Sequence, residues 1–274
     1  MTITLLDGPI GTELIARGYP CPAPLWSAWA LQHAPQAIAD LHSAYAQAGA
    51  HIHTTNTFRT RPDAVGPRWR QDAQLAASLA KAAALPGQRV AGSIAPLADC
   101  YRPQDSPDNP GPQHAALAQV LMDAGVDLLL CETFPHTGEA AAAVTAAAQT
   151  GLETWVSLTA GPQADLLTPE AVRLGAQQAI QAGASAVLVN CIPATHTARY
   201  LAAIRDLGVP FGAYANAGHT DDGIGWHPDP DGPARYADLA EQWIEMGATL
   251  IGSCCGTSPA HTQTLATRFC RSDS

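Results

Sequence analysis

The segment AGASAVLVNC (Ala182–Cys191) contains the pattern from which the architecture can be predicted. A glycine that ends a helix is followed by a short, almost continuously apolar run, and the run ends in an asparagine and a cysteine. The same order returns at Ala48–Ala50, Ala124–Val126 and Met246–Ala248, where AGA, AGV or MGA precedes another apolar run. Such runs are typical of strands buried on both faces of a parallel sheet. The chain is therefore predicted to be an α/β protein.

Eight β-prone runs alternate with stretches of helical spacing, and no break in composition separates them. This order favours one domain over residues 1–274, a closed (β/α)8 barrel of the TIM type. An open eight-stranded sheet is the alternative. The predicted strands are Ile3–Leu6, Ala50–Thr55, Arg89–Ile94, Val126–Cys131, Trp155–Thr159, Ala186–Asn190, Phe211–Ala215 and Thr249–Ser253. The predicted helices are Pro35–Ala48, Gln71–Ala84, Gln113–Asp123, Thr137–Gln149, Pro169–Ala182, Thr195–Leu207 and Pro233–Met246.

The composition limits the partners and the cell compartment. A net charge of −10 without clustered lysine or arginine disfavours nucleic acid and anionic membranes as partners. No signal peptide or membrane-spanning run is recognised, so we expect a cytoplasmic protein. Seven cysteines, an odd number in a chain of 274 residues, indicate reduced thiols rather than a disulfide framework.

Two long irregular loops follow predicted strands. Residues Pro96–Pro112 follow the third strand, and Asn216–Gly232 follow the seventh. In a barrel, every loop of this kind lies on the face where active sites are built. Each loop could act as a lid or be a solvated connection, and the sequence leaves both interpretations open.

Polar and metal-ligating side chains stand where the predicted strands end. A barrel brings these ends together around one opening, so the side chains are expected to share a site. Polar loops alone explain threonine and asparagine, but not three cysteines and two acids. The strand-end residues are Asp7, Thr54, Asn56, Ser93, Glu132, Thr159, Asn190, Cys191, Tyr214, Asn216, Cys254 and Cys255.

The cysteines at the ends of the sixth and eighth strands are candidate zinc ligands. Cys254 and Cys255 can reach the same ion as Cys191 only if the eighth strand has already ended, and Gly252 and Gly256 favour such a bend. Three thiolates with one open position are typical of a catalytic zinc site. A buried core cysteine at position 191, and two packed thiols or a vicinal disulfide at 254–255, are the alternatives.

Several motifs resemble the homocysteine S-methyltransferase family, and the similarity runs nearly from end to end. The family includes betaine-homocysteine methyltransferase, the S-methylmethionine-dependent enzymes and the N-terminal module of cobalamin-dependent methionine synthase. The motifs are DGPIGTELIARG (Asp7–Gly18), LWSAWAL (Leu25–Leu31), AGAHIHTTNTF (Ala48–Phe58), ETF (Glu132–Phe134), AGASAVLVNC (Ala182–Cys191), YANAG (Tyr214–Gly218) and IGSCCGT (Ile251–Thr257).

The resemblance implies a zinc-dependent methyltransferase. Cys191, Cys254 and Cys255 would bind Zn²⁺, and the thiol of the substrate would be the fourth ligand. Zinc favours the thiolate, which is the nucleophile, so the displacement needs no separate general base. The implied reaction moves a methyl group from a sulfonium donor, S-methylmethionine or S-adenosylmethionine, to homocysteine and gives methionine.

The resemblance also implies a role for two acids, which are the candidate catalytic residues. Glu132 would accept hydrogen bonds from the substrate ammonium, and the Asp7-Gly8 turn would meet the amino-acid end of the substrate. A solvated carboxylate at Glu132 and a turn or helix cap at Asp7 are the alternatives. The other residues expected to bind substrate are Asn56, Asn190 and Tyr214.

One position departs from the family pattern. Pro9 has no N–H, where the family often has a small residue that can donate one. We therefore expect the N–H of Gly8 or Ile10 to bind the substrate carboxylate. In the substrate-free protein, the fourth zinc ligand could be Tyr214, another loop group or water.

The identity of the second substrate stays open. The region Arg61–Arg70 is short for the family, and nothing like the C-terminal extension of the betaine enzymes follows Cys270, which argues against their tetramer. We expect a monomer or small homo-oligomer. Alternatives with the same chemistry change the acceptor to selenocysteine or another small thiol, or the donor to betaine, a methylcorrinoid or a methylfolate. A non-catalytic zinc-binding, thiol-binding or redox-sensing barrel is the alternative of another class.

Overall fold

The structure is a computed structural model that describes residues 2–270. Within this range the chain forms eight parallel strands and eleven α-helices. The strands are β1 (Thr4–Leu5), β2 (Ile52–Thr54), β3 (Arg89–Ile94), β4 (Leu128–Phe134), β5 (Glu153–Leu158), β6 (Ala186–Pro193), β7 (Phe211–Asn216) and β8 (Leu250–Ser253). The helices are α1 (Gly11–Ala16), α2 (Trp29–His33), α3 (Pro35–Gln47), α4 (Pro62–Val65), α5 (Trp69–Ala83), α6 (Gly111–Asp123), α7 (Thr137–Ala148), α8 (Pro169–Gln181), α9 (Thr197–Ile204), α10 (Gly232–Glu245) and α11 (Pro259–Phe269).

The strands close into a barrel. Their order is β1-β8-β7-β6-β5-β4-β3-β2, and every neighbouring pair is parallel. A bridge between Leu6 and Ile52 joins β1 to β2, supported by a hydrogen bond of 2.9 Å from Asp7 N to Ile52 O. This closure confirms the predicted (β/α)8 barrel, and the open-sheet alternative is wrong.

Alternate residues of each strand face two separate apolar layers. Along β4, Leu128 and Leu130 belong to the cluster inside the barrel, whereas Leu129 and Cys131 pack in the layer beneath the helices. This alternation follows from the period of two of a strand, with both faces covered. The continuous apolar runs in the sequence therefore reflect two cores rather than one.

The boundaries differ from the prediction at two places that matter for the site. β4 was expected to end at Cys131 and β6 at Asn190, but both continue, to Phe134 and Pro193. Strand pairing resumes after a register shift in each case, so polar residues lie within the strands rather than after them. The helices missing from the prediction are α1, α2, α4 and α11.

None of the helices within residues 2–270 combines the length and apolar character needed to cross a lipid bilayer.

The contact between β7 and β8 leaves no room for a side chain at Gly212. A Cβ atom there would lie 1.7 Å from Leu250 O, a main-chain atom that cannot move without breaking the sheet. We expect Gly212→Ala to lower the free energy of unfolding by at least about 3 kcal/mol, or to prevent folding. Gly111→Ala is the matched control, because nothing lies within 4 Å of its Cβ position. Equal denaturant midpoints for the two variants would contradict this packing.

Candidate active site

A cavity of about 350 Å³ opens at the carboxyl ends of the strands. Its walls come from the ends of β1, β2, β4 and β6–β8 and from the loop that follows β3. Asn190, which was predicted to bind substrate, and the strand-end residues Ser93, Thr159 and Asn216 do not line the cavity. The predicted residues that line it are Asp7, Gly8, Asn56, Glu132, Cys191, Tyr214, Cys254 and Cys255.

Three cysteine sulfurs converge in the cavity wall. The Sγ atoms of Cys191 and Cys254 are 2.9 Å apart, those of Cys254 and Cys255 are 4.0 Å apart, and all three lie within 4.8 Å of one another. A tetrahedral zinc ion with Zn–S bonds of about 2.3 Å holds its sulfurs about 3.8 Å apart. The three side chains can therefore bind one metal ion after small adjustments.

Backbone irregularity in β6 carries Cys191 to this position. Cys191 has a φ of +51°, which is rare for a residue with a Cβ atom, and it lies in the register shift between Asn190 and Pro193. Thr133 has a φ of +63° in the corresponding shift of β4. Left-handed residues of this kind persist only where the surroundings impose them, and they occur often in active sites.

Asn190 links the two irregular strand ends. Its side-chain oxygen accepts hydrogen bonds from Thr133 N, at 3.1 Å, and from Ser157 Oγ, at 2.8 Å. Its side-chain nitrogen donates to Thr133 Oγ1, at 2.7 Å, and lies 3.7 Å from the sulfur of Cys191. Asn190 is fully buried. It therefore positions Thr133 and Cys191, and a contact between Asn190 and a substrate stays a prediction.

The second pair of sulfurs depends on the end of β8. The strand stops at Ser253, so Cys254 and Cys255 lie in a turn and can face the same point. Gly256, with a φ of +81°, makes this turn possible, as predicted. Gly252 allows close packing rather than a bend, because a Cβ atom there would lie 2.8 Å from Leu6 Cβ.

The electrostatics of the cysteines call for a cation. Hydrogen bonding with Cys254 and Cys255, followed by burial, raises the pKa of Cys191 well above its usual value. Hydrogen bonds from Cys191 and Cys254 lower the pKa of Cys255 well below the usual value. The thiolate of Cys255 is thus stabilised by hydrogen bonds from the thiols of Cys191 and Cys254. A bound divalent ion would allow all three sulfurs to ionise.

Glu132 lies inside the cavity between two hydroxyl donors. Ser93 Oγ donates to one carboxylate oxygen, and Tyr214 Oη donates to the other at 3.1 Å. Burial raises the pKa of Glu132 to about 7, although these hydrogen bonds act in the opposite direction. The hydroxyl hydrogen of Tyr214 is therefore engaged by the carboxylate of Glu132.

Asp7 and Gly8 form the cavity wall at the end of β1. Thr54 N donates to Asp7 Oδ2 at 2.8 Å, and burial raises the pKa of Asp7 to about 8. A Cβ atom at Gly8 would lie 2.7 Å from the ring of Tyr45, whose hydroxyl donates to Pro9 O at 3.0 Å. Glycine at position 8 is therefore required by the close approach of Tyr45.

Asn56 lines the cavity, but its amide is engaged by the segment before α2. Ser27 Oγ donates to its side-chain oxygen at 2.6 Å, and its nitrogen donates to Ser27 O at 3.0 Å. The neighbouring Trp26, with a φ of +50°, also lines the cavity and covers Gly11. Asn56 therefore holds the turn that presents Trp26, a residue for which the sequence analysis predicted no role.

The loop 96–112 contributes directly to the cavity through Asp99, Cys100 and Tyr101. The negative charge of the sulfurs, that of Cys191 first, raises the pKa of Tyr101. Tyr101 and the three cysteines thus line the same cavity. The sequence analysis missed Tyr101, because an irregular loop has no periodicity that shows which residue points inward.

Glu139 in the first turn of α7 anchors this loop. Its carboxylate accepts hydrogen bonds from Leu97 N, at 2.8 Å, and from Ser106 Oγ, at 2.6 Å. The buried ring of His114 contacts the same carboxylate, with Nε2 3.2 Å from Oε1. These contacts fix the position of the loop beside the cavity. A loop that only connected two elements would not need them.

The loop 216–232 is different. Trp226 Nε1 donates to Gly218 O at 2.6 Å, and His261 Nε2 lies 2.8 Å from Ile224 O. In the part of the chain that the structure describes, the cavity is lined by no residue of this loop. Its place beside the barrel opening gives no support to a role as a lid.

Acidic groups dominate the cavity. Glu132, Asp7 and the three cysteines face one cationic side chain, Arg59, the only lysine or arginine lining the cavity among residues 2–270. Arg59 Nη1 donates to Ala98 O at 3.0 Å. Burial opposes the ionisation of these acids, and a ligand with a positive group, such as ammonium or sulfonium, would favour it.

Comparisons with known proteins give one consistent result. A family model described as homocysteine S-methyltransferase matches residues 4–269. The homocysteine S-methyltransferase of Escherichia coli (strain K12) is 32% identical, and the alignment covers 97% of this chain and 95% of that protein. Betaine–homocysteine S-methyltransferase 1 of Xenopus tropicalis is 28% identical, with 96% and 72% covered.

The fold agrees with a solved structure. The crystal structure of the homocysteine methyltransferase MmuM from Escherichia coli, in the metallated form, superimposes with a TM-score of 0.82. It is 28% identical, and the match covers 98% of this chain and 96% of that one. The agreement thus extends over both whole chains.

The buried Glu132 carboxylate is expected to destabilise the metal-free fold at alkaline pH. Its pKa rises from 4.5 to about 7 on folding, so the favourable protonated state is complete below pH 4.5 and is lost as the pH rises through 7. Glu132→Gln should therefore raise the free energy of unfolding at pH 8 by up to about 3 kcal/mol, and the gain should vanish near pH 4.

Denaturant unfolding of the reduced, chelator-treated protein at several pH values measures this difference. Glu245→Gln, at an exposed position of α10, is the control and should change stability by less than about 0.5 kcal/mol. A Glu132→Gln variant that is less stable than the parent at pH 8 would show that the carboxylate is better satisfied than its burial indicates.

Proposed function

The chain belongs to the homocysteine S-methyltransferase family, and we propose that it transfers the methyl group of a sulfonium donor to the sulfur of homocysteine, giving methionine. The observation that supports this most strongly is the convergence of Cys191, Cys254 and Cys255 in an acidic cavity at the carboxyl ends of the strands. The chemistry needs a thiol to be ionised next to a methyl cation equivalent. The three cysteines can hold a metal ion that favours ionisation of the thiol, and the carboxylates can attract the cationic methyl donor.

The proposed metal is Zn²⁺, held by Cys191, Cys254 and Cys255. Thiolate ligands suit zinc, and three of them leave a coordination position for a substrate. When bound, zinc lowers the pKa of a coordinating thiol and so supplies the thiolate nucleophile at neutral pH. The sulfurs must be reduced for this role, which favours the cytoplasm as the compartment. A monomer or small homo-oligomer remains our prediction.

Glu132 is proposed to hold the ammonium group of homocysteine. Its carboxylate is fixed by Ser93 and Tyr214, and both of these donors favour its ionised form. A substrate ammonium would add a positive partner and complete the ionisation. Binding and charge would then be coupled, so that Glu132 is most acidic when substrate is present.

The carboxylate of homocysteine is proposed to lie along the turn after β1. Gly8, Pro9 and Ile10 line the cavity there, and Gly8 and Ile10 each have an N–H to donate, whereas Pro9 has none. Asp7 in the same turn suits the ammonium end of the substrate rather than the carboxylate. Arg59 is a further candidate for a carboxylate, because it is the cation of the cavity wall.

The chemical step is a direct displacement at carbon. The sulfur of homocysteine forms a bond to the methyl carbon as the bond from that carbon to the donor sulfonium breaks. The electron pair of the broken bond stays with the donor sulfur, which leaves as a neutral thioether. Positive charge disappears from the donor during the step, so the contribution of this chain lies in alignment and desolvation of the two sulfurs.

The size of the cavity favours S-methylmethionine over S-adenosylmethionine as the donor. A volume of about 350 Å³ lies near the lower end of ligand sites. Homocysteine and S-methylmethionine are both compact amino acids, whereas an adenosyl group would need additional space. Betaine carries a positive charge and a carboxylate, but its quaternary nitrogen has no N–H that Asp7 could accept.

Removal of a sulfur ligand tests the proposal. Cys254→Ser should lose bound zinc and at least about 10³-fold in the rate of methionine formation from homocysteine and S-methylmethionine. A chelator should have the same effect on the parent protein, and added Zn²⁺ should reverse it. Methionine is measured by mass spectrometry, with Cys270→Ser as the control, because Cys270 lies outside the cavity.

The outcome of a donor screen separates the alternatives. Zinc-loaded protein that forms no methionine with S-methylmethionine, S-adenosylmethionine, betaine or methylfolate would contradict the proposed reaction. Binding of homocysteine without turnover would then favour the non-catalytic thiol-binding alternative. Faster methylation of another thiol or of selenocysteine would change the acceptor but keep the chemistry.

The Tyr214 hydroxyl offers a test of the role of Glu132. Tyr214→Phe removes a hydrogen bond that lowers the pKa of Glu132, so the acidic limb of kcat/KM should move to higher pH by roughly 0.5 to 1 unit. The KM for homocysteine should rise roughly 3- to 10-fold with little change in kcat. Tyr19→Phe, at an exposed position, is the control. An unchanged pH profile would remove Glu132 from substrate binding.

A further inference from the structure

A second group of metal-ligating side chains lies next to the cavity. One oxygen of Asp7 and one ring nitrogen each of His42 and His53 lie within 4.8 Å of one another. All three side chains are buried, and the two histidines are completely so. Asp7 lines the cavity, whereas the histidines, from α3 and β2, do not. The group therefore lies behind Asp7 as seen from the cavity.

His53 is held in the manner of a metal ligand. Its Nε2 lies 2.8 Å from Gln88 Oε1. That oxygen also accepts the Leu85 N–H at 2.8 Å, while Gln88 Nε2 donates to Ala46 O at 3.2 Å, and these contacts fix the orientation of the amide. The proton of His53 is therefore on Nε2, and Nδ1 carries a lone pair. Ligating histidines are oriented by such a partner on the other ring nitrogen.

The histidine nitrogens of the group lack partners. His53 Nδ1 and both ring nitrogens of His42 are buried without a hydrogen bond to any residue that the structure describes. Leaving a buried polar atom unpaired costs about 1–3 kcal/mol. One such atom from each ring lies close to the other and to Asp7, which indicates an occupant between the side chains.

The lone pairs identify the occupant as a cation. His53 Nδ1, one nitrogen of neutral His42 and the carboxylate of Asp7 are all acceptors, and a neutral His42 ring has one N–H to offer. Asp7 already accepts a hydrogen bond from Thr54 N, so the lone pairs that need a partner are those of the two rings. A cation would satisfy both rings and would also favour the ionised form of the buried Asp7.

We propose that Asp7, His42 and His53 form a second metal site, which takes a divalent transition-metal ion. Two imidazoles and one carboxylate suit such ions. Unlike the cysteine site, this group offers no thiolate ligand. Bonds of about 2.0 to 2.2 Å place ligand atoms roughly 3.3 Å apart, so the side chains need to approach by at most about 1.5 Å. The site does not depend on the proposed methyl transfer.

Cobalt binding to a protein without the cysteine site tests the proposal. In the triple variant Cys191→Ser, Cys254→Ser, Cys255→Ser, we expect the reduced protein to bind about one equivalent of Co²⁺. Its spectrum should show ligand-field bands without the near-ultraviolet charge-transfer absorption of cobalt thiolates. Adding His53→Leu should remove this equivalent, whereas adding His51→Gln, on the same segment, should not.

A second measurement does not depend on the folding of these variants. Titration of the parent protein should show two equivalents of Co²⁺, and only one of them should produce thiolate charge transfer. Absence of bound Co²⁺ in a folded triple variant would overturn the site and leave water as the occupant. Binding that survives His53→Leu in a folded protein, as judged by circular dichroism, would also overturn it.

Discussion

The left-handed backbone at Cys191 and Thr133 is the constraint on which the site depends. In regular strands, alternate side chains point in opposite directions, so the end of β6 would not present Cys191 to the turn after β8. The register shifts in β4 and β6 change that direction, and the fully buried amide of Asn190 holds the two shifts together. The strain of two unfavourable φ angles is therefore offset by hydrogen bonds made in the core, below the reacting groups.

A second constraint is the burial of negative charge. The cavity brings thiols and two carboxylates together, with burial raising the pKa of both Glu132 and Asp7. Without cations, burial favours the protonated forms of these thiols and carboxylates. The protein is most stable in that state, but it lacks the charged groups that the reaction needs. Metal ions and cationic substrates reverse this balance, so the same burial that weakens the empty protein strengthens binding. The loop 96–112, fixed by Glu139, adds Asp99, Cys100 and Tyr101 to the wall around these groups.

The sequence predicted the barrel because its signals are local and repeated: a glycine ends each helix, and an apolar run follows. It also predicted that Cys191, Cys254 and Cys255 meet, since strand ends in a barrel share one opening. It did not show that Asn190 is enclosed between strand ends, because an amide at a strand end looks the same whether it faces a ligand or a neighbouring strand. The positive φ of Thr133 and the inward side chain of Tyr101 depend on tertiary contacts, which no short segment of sequence encodes.

The placement of Asp7 links the two candidate metal centres. Its carboxylate lines the cavity on one side and meets His42 and His53 on the other, while Thr54 N fixes one oxygen. A carboxylate held from behind by a cation keeps its orientation but offers a weaker negative field to the cavity. An ion at the histidines would therefore weaken the attraction of Asp7 for a substrate ammonium and leave Glu132 as the stronger partner. The proposed division of the amino-acid end between Glu132 and the turn after β1 would follow from this difference in charge.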